Sequence, residues 1–273
     1  MTLLASVCIA LPAPMRAQDA LAKTPTYDVV SIKPNKSGPG MMRIGNFADK
    51  FSGTNISLKM LIMNAYGLKI EDQISGLSGA MSSAGFDIEA KMDEDTIAAF
   101  VELSKDDSAK QRRLMLQALL ADRFHLKIHH ETRDLPMYSL VVAKGGFKLK
   151  EADPNDTYPN GPKGLDGVSH PGMMMINNGK LTARAIPISN LVDTLARQLR
   201  RPVTDNTGLK GKYDIALEWA PEEMPGESPA TTAAPSGPSI YTALQEQLGL
   251  RLDSTKGPVD TIVVDHVELP SEN

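Results

Sequence analysis

Phe51-Ser-Gly-Thr-Asn-Ile-Ser-Leu58, followed by Leu61-Ile62, returns later in the same chain as Leu181-Thr-Ala-Arg-Ala-Ile-Pro-Ile188, followed by Leu191-Val192. Working outward, Ser75-Gly76-Leu77 returns as Thr207-Gly208-Leu209, and Phe86-Asp87-Ile88 as Tyr213-Asp214-Ile215. Leu116-Gln117 matches Leu244-Gln245. Pro136 before Ser139-Leu-Val-Val142 matches Pro258 before Thr261-Ile-Val-Val264. The order is kept and only the spacers change length. This predicts two related halves of about 100–120 residues, each able to bury a modest core.

Local patterns assign elements to this plan. Tyr27 to Lys33 alternates with β-branched residues and stops at Pro34, as a strand does. Met41 to Phe51 is expected to hold two short strands. Ser57 caps a helix through Tyr66, with Leu58, Leu61, Ile62 and Ala65 on one face and Gly67 ending it. Phe86 to Met92 reads as a strand, and Asp93 to Leu103 and Asp107 to Ala121 as helices. Phe124 to Glu131 and Met137 to Lys144 are expected to form a hairpin. The second half repeats the series. It has a helix from Ile188 to Leu199, strands at Arg201 to Thr204 and Lys212 to Trp219, and a helix from Ser239 to Leu248. Leu250 to Leu252 and Val259 to Val267 form an expected closing hairpin. The fold class is therefore α+β: two tandem, sequence-related halves with helices packed on small, mostly antiparallel sheets. The boundaries are 1–22 for a signal peptide, 23–149 for the N-terminal half, 150–179 for an interdomain loop and 180–273 for the C-terminal half. Residues 221–238, rich in Pro, Ala, Gly, Ser and Thr, form a linker insert within the last.

Composition narrows the function classes. A net charge of -4 argues against nucleic acid or an anionic membrane as the main partner, since both favour clustered Lys and Arg. No apolar run is long enough to span a bilayer. Leu3 to Pro14 is a short apolar stretch followed by small residues, with Ala20-Leu21-Ala22 and Ala17-Gln18 as alternative cleavage sites, so export to a periplasmic or extracellular location is expected. Cys8, the single cysteine, lies inside this segment, within Ala-Ser-Val-Cys, a weak lipoprotein cleavage box. A processed chain would carry no disulfide, thiol nucleophile or cysteine metal site.

The densest polar cluster is Arg123-Phe-His125-Leu-Lys-Ile-His129-His130-Glu131. On a helix, His125 and His129 would form a metal-binding pair. Phe124, Leu126 and Ile128 alternate instead, which is strand periodicity. Residues four apart on a strand are about 13 Å apart, too far to share a zinc ion. Both histidines are therefore expected on one strand face with no common metal. Gly76-Leu-Ser78-Gly79-Ala80 falls one residue short of a nucleophile elbow and reads as a turn. Asp87 and Asp214 recur at matching positions. Paired carboxylates can do acid–base work, but an acid repeated in a strand is more often a hydrogen-bonding residue. Met41-Met42 and Met173-Met174-Met175 read as flexible apolar filler rather than a soft-metal site. No catalytic, cofactor-binding or metal-binding residue is assigned, and no cofactor is expected.

Several of these motifs resemble a known family. Tyr27-Asp-Val-Val-Ser-Ile-Lys-Pro-Asn35 is similar to its opening motif. Leu119-Leu-Ala-Asp-Arg-Phe-His-Leu-Lys-Ile-His-His-Glu-Thr-Arg133 is similar to its central one, and Arg201-Pro-Val-Thr-Asp-Asn-Thr-Gly-Leu-Lys-Gly-Lys-Tyr-Asp214 to a third. Leu244 to Leu250 and Val264 to Pro270 close the pattern. On these residues the chain resembles the acidobacterial soil-associated family of secreted proteins, a domain of unknown function. It departs from the family at Gly76-Leu-Ser-Gly-Ala-Met81, where relatives carry Gly-x-Pro-x-Trp. The resemblance implies export and kinship with domains fused behind membrane metallopeptidases of the β-lactam-sensor type. It supplies no catalytic residue.

The sequence thus leads to a non-enzymatic envelope module. Its expected partner is an unknown protein or small ligand, bound through the groove between the halves. The competing reading is a secreted hydrolase using His129 or His130 with a nearby carboxylate. A purely structural surface protein comes third.

Overall fold

The structure is a computed structural model that describes residues 25–36, 41–159, 161–164, 167–220 and 237–270. The expected signal peptide and most of the expected linker, residues 221–236, lie outside the described residues. The fold is α+β, with three four-stranded sheets. In chain order the first half holds β1 (Val29–Pro34), β2 (Arg43–Asn46), β3 (Lys50–Ser57), α1 (Leu58–Tyr66), β4 (Ile74–Ser75), α2 (Gly79–Ser83) and β5 (Gly85–Lys91). It continues with α3 (Glu94–Val101), α4 (Lys105–Arg123) and β6 (Lys127–Val142). The second half holds β7 (Lys150–Glu151), β8 (Met174–Asn177), β9 (Lys180–Pro187), α5 (Ile188–Leu199), β10 (Val203–Asp205) and β11 (Lys212–Glu218). It ends with α6 (Ile240–Ala243), a π-helical turn (Leu244–Leu248) and β12 (Leu250–His266). The stretch 150–179, read as a loop, thus contributes the short strands β7 and β8.

The helix starts follow side-chain chemistry. Ser57, Asp93, Ser104 and Ser239 each accept a hydrogen bond from the backbone N–H three residues on. Such caps satisfy donors that the first turn leaves without a partner. At the end of α1, Gly67 adopts a left-handed φ of 67°.

The two outer sheets are built on one plan. Their strand orders are β1-β5-β3-β2 and β7-β11-β9-β8. In each, a hairpin leads directly into a helix, and a bulge interrupts the central pairing at the same place. Ile56 pairs with Phe86 and Gly53 with Ile88, so Thr54 and Asn55 stand against Asp87 alone. Ile186 pairs with Tyr213 and Ala183 with Ile215, so Arg184 and Ala185 stand against Asp214 alone. Asn55 and Ala185 both take a left-handed φ, 51° and 50°. The facing carboxylate accepts each one's backbone N–H, at 2.8 Å and 3.0 Å. Asp87 and Asp214 therefore hold the bulge, a position that ladder hydrogen bonds leave unserved. Leu61 and Leu191 are both fully buried beneath their helices.

Neither expected hairpin forms. Each is one unbroken strand, and the two strands pair antiparallel over nearly their whole length. Lys256 lies opposite Pro136, and Pro258 opposite Asp134. The Asp134-Leu-Pro136 and Lys256-Gly-Pro258 segments, which fall between the arms of the expected hairpins, instead face each other at the middle of a long ribbon. A hairpin needs its two arms to pair with each other; here each arm finds a better partner in the other half.

The ribbon lies at the centre of the third sheet, ordered β10-β6-β12-β4. Its edges are exchanged between halves: β4 runs parallel to β12, and β10 parallel to β6. The cores follow the same exchange. The first is built from Phe51, Ile56, Leu61, Phe86, Leu116 and Phe124, and takes in Val264 from the far end of β12. The second is built around Ile186, Leu191, Ile215, Leu244 and Leu250, and takes in Leu140 from the far end of β6. Each long strand starts in its own core and ends in the other.

Candidate functional site: a basic cleft at the junction of the halves

Residues Lys105, Ser108, Ala109, Arg112, Arg113 and Leu116 are spaced three and four apart, so they form one face of α4. That face looks across a cleft at the C-terminal end of α5, where Arg197 and Arg200 are again three apart. The end of α1 and the segment from Gly67 to Asp72 close a third side. The cleft volume is about 1060 Å³. Buried Met63, Ile70 and Leu116 form an apolar floor, with Met60 and Leu68 beside them.

The walls are basic. Six cationic side chains line the cleft (Lys69, Lys105, Arg112, Arg113, Arg197, Arg200) against two acids, Glu71 and Asp72. Glu71 is engaged by Lys59 at 2.6 Å. Lys69 reaches Asp193 of α5 at 2.7 Å and so ties the halves together at the rim. Lys105, Arg112 and Arg113 have no carboxylate within ion-pairing distance among the described residues. The Arg112 guanidinium lies 5.0 Å from the centre of the Phe100 ring, a cation–π contact. Its Nη1 is buried with no hydrogen-bond partner. The Arg113 guanidinium covers the end of α1, so that a Cβ on Gly67 would lie 3.3 Å from its Cζ. A cation there also meets the negative end of the helix dipole.

The Tyr27 hydroxyl is likewise buried without a hydrogen-bond partner. Burial pushes its pKa up to about 12, and the Arg112 charge opposes part of that rise.

The histidines lie elsewhere. His125 is not on a strand: it occupies the left-handed turn after α4, with φ 49°, and the N–H of Leu126 closes that turn on the Leu120 carbonyl at 3.2 Å. The corresponding residue after the second helix is Gly249, φ 65°. His129 and His130 are neighbours on β6 and so point to opposite faces. His129 Nδ1 lies 2.8 Å from Asp265 and its Nε2 3.6 Å from Glu131. His130 Nδ1 lies 3.1 Å from Asp260, and its ring meets Tyr66 edge-on. Both are exposed, and the acids nearest them, Asp265 and Asp260, come from β12, so these pairs link the strands of the ribbon. Among the described residues no group of three or more His, Cys, Asp or Glu is placed to hold a metal ion.

The remaining candidates have local roles. Ser78 accepts the Met81 N–H and so caps α2. Asp87 also receives the Asn35 amide at 2.9 Å and 3.0 Å, and Arg184 approaches Asp214 at 3.8 Å. Met41 and Met42 precede edge strand β2, and Met174 and Met175 lie in edge strand β8; of these, Met41, Met42 and Met175 are exposed. No helix among the described residues is long and apolar enough to cross a membrane.

Sequence reasoning passed over the cleft residues because it followed the apolar positions of α4 alone. The basic and small residues spaced along one face from Lys105 to Arg113 were the readable signal. What lies opposite it was not readable. No curated protein and no solved structure matches the chain. A family model described as "Protein of unknown function (DUF3738)" matches residues 59–267, which take in all but the first residue of α1, the second bulge, every cleft-lining residue except Asn46 and the whole ribbon. The chain therefore belongs to the DUF3738 family of unknown function.

Proposed function

We propose that this protein is an exported, non-enzymatic binding module of the cell envelope, derived from an internal duplication, that takes its ligand in the cleft between its halves. The observation that carries the reading is the cleft itself: a cavity at the seam, whose wall cations include Lys105, Arg112 and Arg113, each without an acidic partner among the described residues. Buried, unpaired donors such as Arg112 Nη1 cost free energy, and a site that keeps them is suited to an incoming acceptor. Asymmetry supports the same reading. Leu116 corresponds to Leu244, so the turns of α4 before Arg112 have no helical counterpart among the described residues of the second half. The shared apolar residues build the two cores, and apart from Leu116 the cleft is lined by unshared ones. Export, a periplasmic or extracellular location and an acidobacterial source rest on the N-terminal apolar segment and the motif resemblance. The hydrolase alternative would place chemistry at His129 or His130, which sit on the exposed ribbon away from the cleft.

A filled cleft tests the reading. Ala109 is exposed on the cleft face of α4, and Ala109→Trp would occupy the space. Wild-type protein incubated with native envelope extract, then desalted, is expected to retain a small molecule detectable by mass spectrometry that A109W does not. Equal retention by both, or by neither, would count against the cleft as the site.

A further inference from the structure

We infer that the ligand of this cleft is an organic anion, a phosphate or carboxylate head joined to an apolar body. This rests on the cleft-binding reading above and specifies its chemistry.

Size decides the first point. Ligand pockets run to about 300–1,000 Å³, and a bare inorganic anion fills only a small part of that. A cavity of about 1060 Å³ is too large to be a simple anion hole. Lining decides the second. A purely polar anion would leave the Met60, Met63, Leu68 and Ile70 surface unmatched, and a purely apolar guest would strand the guanidinium groups. Methionines suit an apolar guest of variable shape, because an unbranched thioether adapts its rotamer. The third point is the kind of cation. Arginines dominate the walls, and a guanidinium presents paired donors matched to carboxylate or phosphate oxygens. Arg113 on α4 and Arg197 on α5 line the cleft from opposite halves, so a head group bound between them would meet donors from both. Of the two lining acids, Glu71 is turned to Lys59, and exposed Asp72 leaves the six cations in excess.

The test is equilibrium binding to the full-length chain by calorimetry at low ionic strength, with probes kept below their micelle concentrations. Decyl phosphate and decanoate carry both parts of the inferred ligand. Decyl glucoside carries the apolar body alone, and inorganic phosphate the head alone. At least one of the first two is expected to bind about tenfold or more tightly than either of the last two, with affinity falling as salt is added. Which of them binds tighter identifies the head group. R113Q/R197Q, two exposed positions that leave Arg112 and its buried contacts in place, is expected to weaken that binding about tenfold or more. K127Q makes a charge change on the ribbon outside the cleft and should leave it unaltered. If decyl glucoside binds as well as the anions and R113Q/R197Q has no effect, the anionic ligand is overturned. The cleft reading survives that result provided A109W abolishes the binding. If inorganic phosphate binds as tightly as decyl phosphate, the apolar body is overturned. Failure of every probe also overturns this inference, and the extract experiment then judges the cleft reading separately.

Discussion

At the scale of single residues, two close approaches carry predictions. Gly76 has φ 85°, and a Cβ there would stand 2.3 Å from the Val264 carbonyl oxygen of β12. Its counterpart Gly208, φ 72°, has open space around it. Gly208→Ala therefore pays only backbone strain, about 1 kcal/mol, while Gly76→Ala must also push the strands apart, about 3 kcal/mol or more in all. Urea unfolding of both variants checks this, and equal losses would contradict the packing of β4 on β12. Tyr27 gives the second prediction. Its buried hydroxyl has no partner, so Tyr27→Phe removes a desolvated polar group and loses no hydrogen bond; a gain of about 1 kcal/mol is expected. The sign of the pH effect follows from its raised pKa. The unfolded hydroxyl ionises near pH 10 and the folded one near 12, so above pH 10 the unfolded state binds fewer protons. Stability then falls between pH 10 and 12, and Y27F should flatten that part of the alkaline profile. The identity of Gly76 as a turn glycine was legible from its recurrence as Gly208. Its contact with β12 was not, because nothing local to residue 76 names a strand so distant in the chain.

At the scale of elements, local signals were read well and partnerships poorly. Ser57, the apolar spacing of Leu58 to Ala65, and Gly67 fix α1 within their own few residues, and the structure has it there. The bulge acids were legible as a repeated hydrogen-bonding residue for a similar reason: the facing residues recur with them. The hairpins were misread because proline and glycine mark a place where a strand is interrupted or poorly paired, and a tight turn is only one such place. In β6 and β12 those residues mark the crossing point of a ribbon instead. Pairing is directly testable. Thr132 and Asp260 are opposite each other, so T132C/D260C in a Cys8→Ser background should form an intramolecular disulfide under mild oxidation, seen as the joined peptides after digestion. Two separate hairpins would keep these positions apart and give no cross-link.

At the scale of the whole molecule, the sequence repeat suggested beads on a string, and the structure is instead an exchange. A repeat reports that two segments share a pattern; it does not report whether each segment closes on itself. Here neither does. Leu140 leaves the first half to be fully buried in the second core, and Val264 leaves the second half to be buried in the first. The two edge strands are exchanged as well, and Lys69 to Asp193 bridges the cleft. Removing either half would strip a long strand and an edge from the other half's central sheet and take a large aliphatic side chain from its core. A buried Leu or Val alone is worth about 1.5–3 kcal/mol, a large share of the net stability of a domain of this size. The halves are therefore expected to unfold together. Calorimetry of the full-length chain should give one transition, with calorimetric and van't Hoff enthalpies in agreement. Gly76→Ala, at the edge where β4 meets β12, should lower that transition as a whole rather than split it. Two resolved transitions, or a mutation in the first half that shifts only part of the heat, would mean that the ribbon does not couple the cores. A cleft ligand, touching both halves, should raise the single transition by an amount set by its concentration relative to Kd.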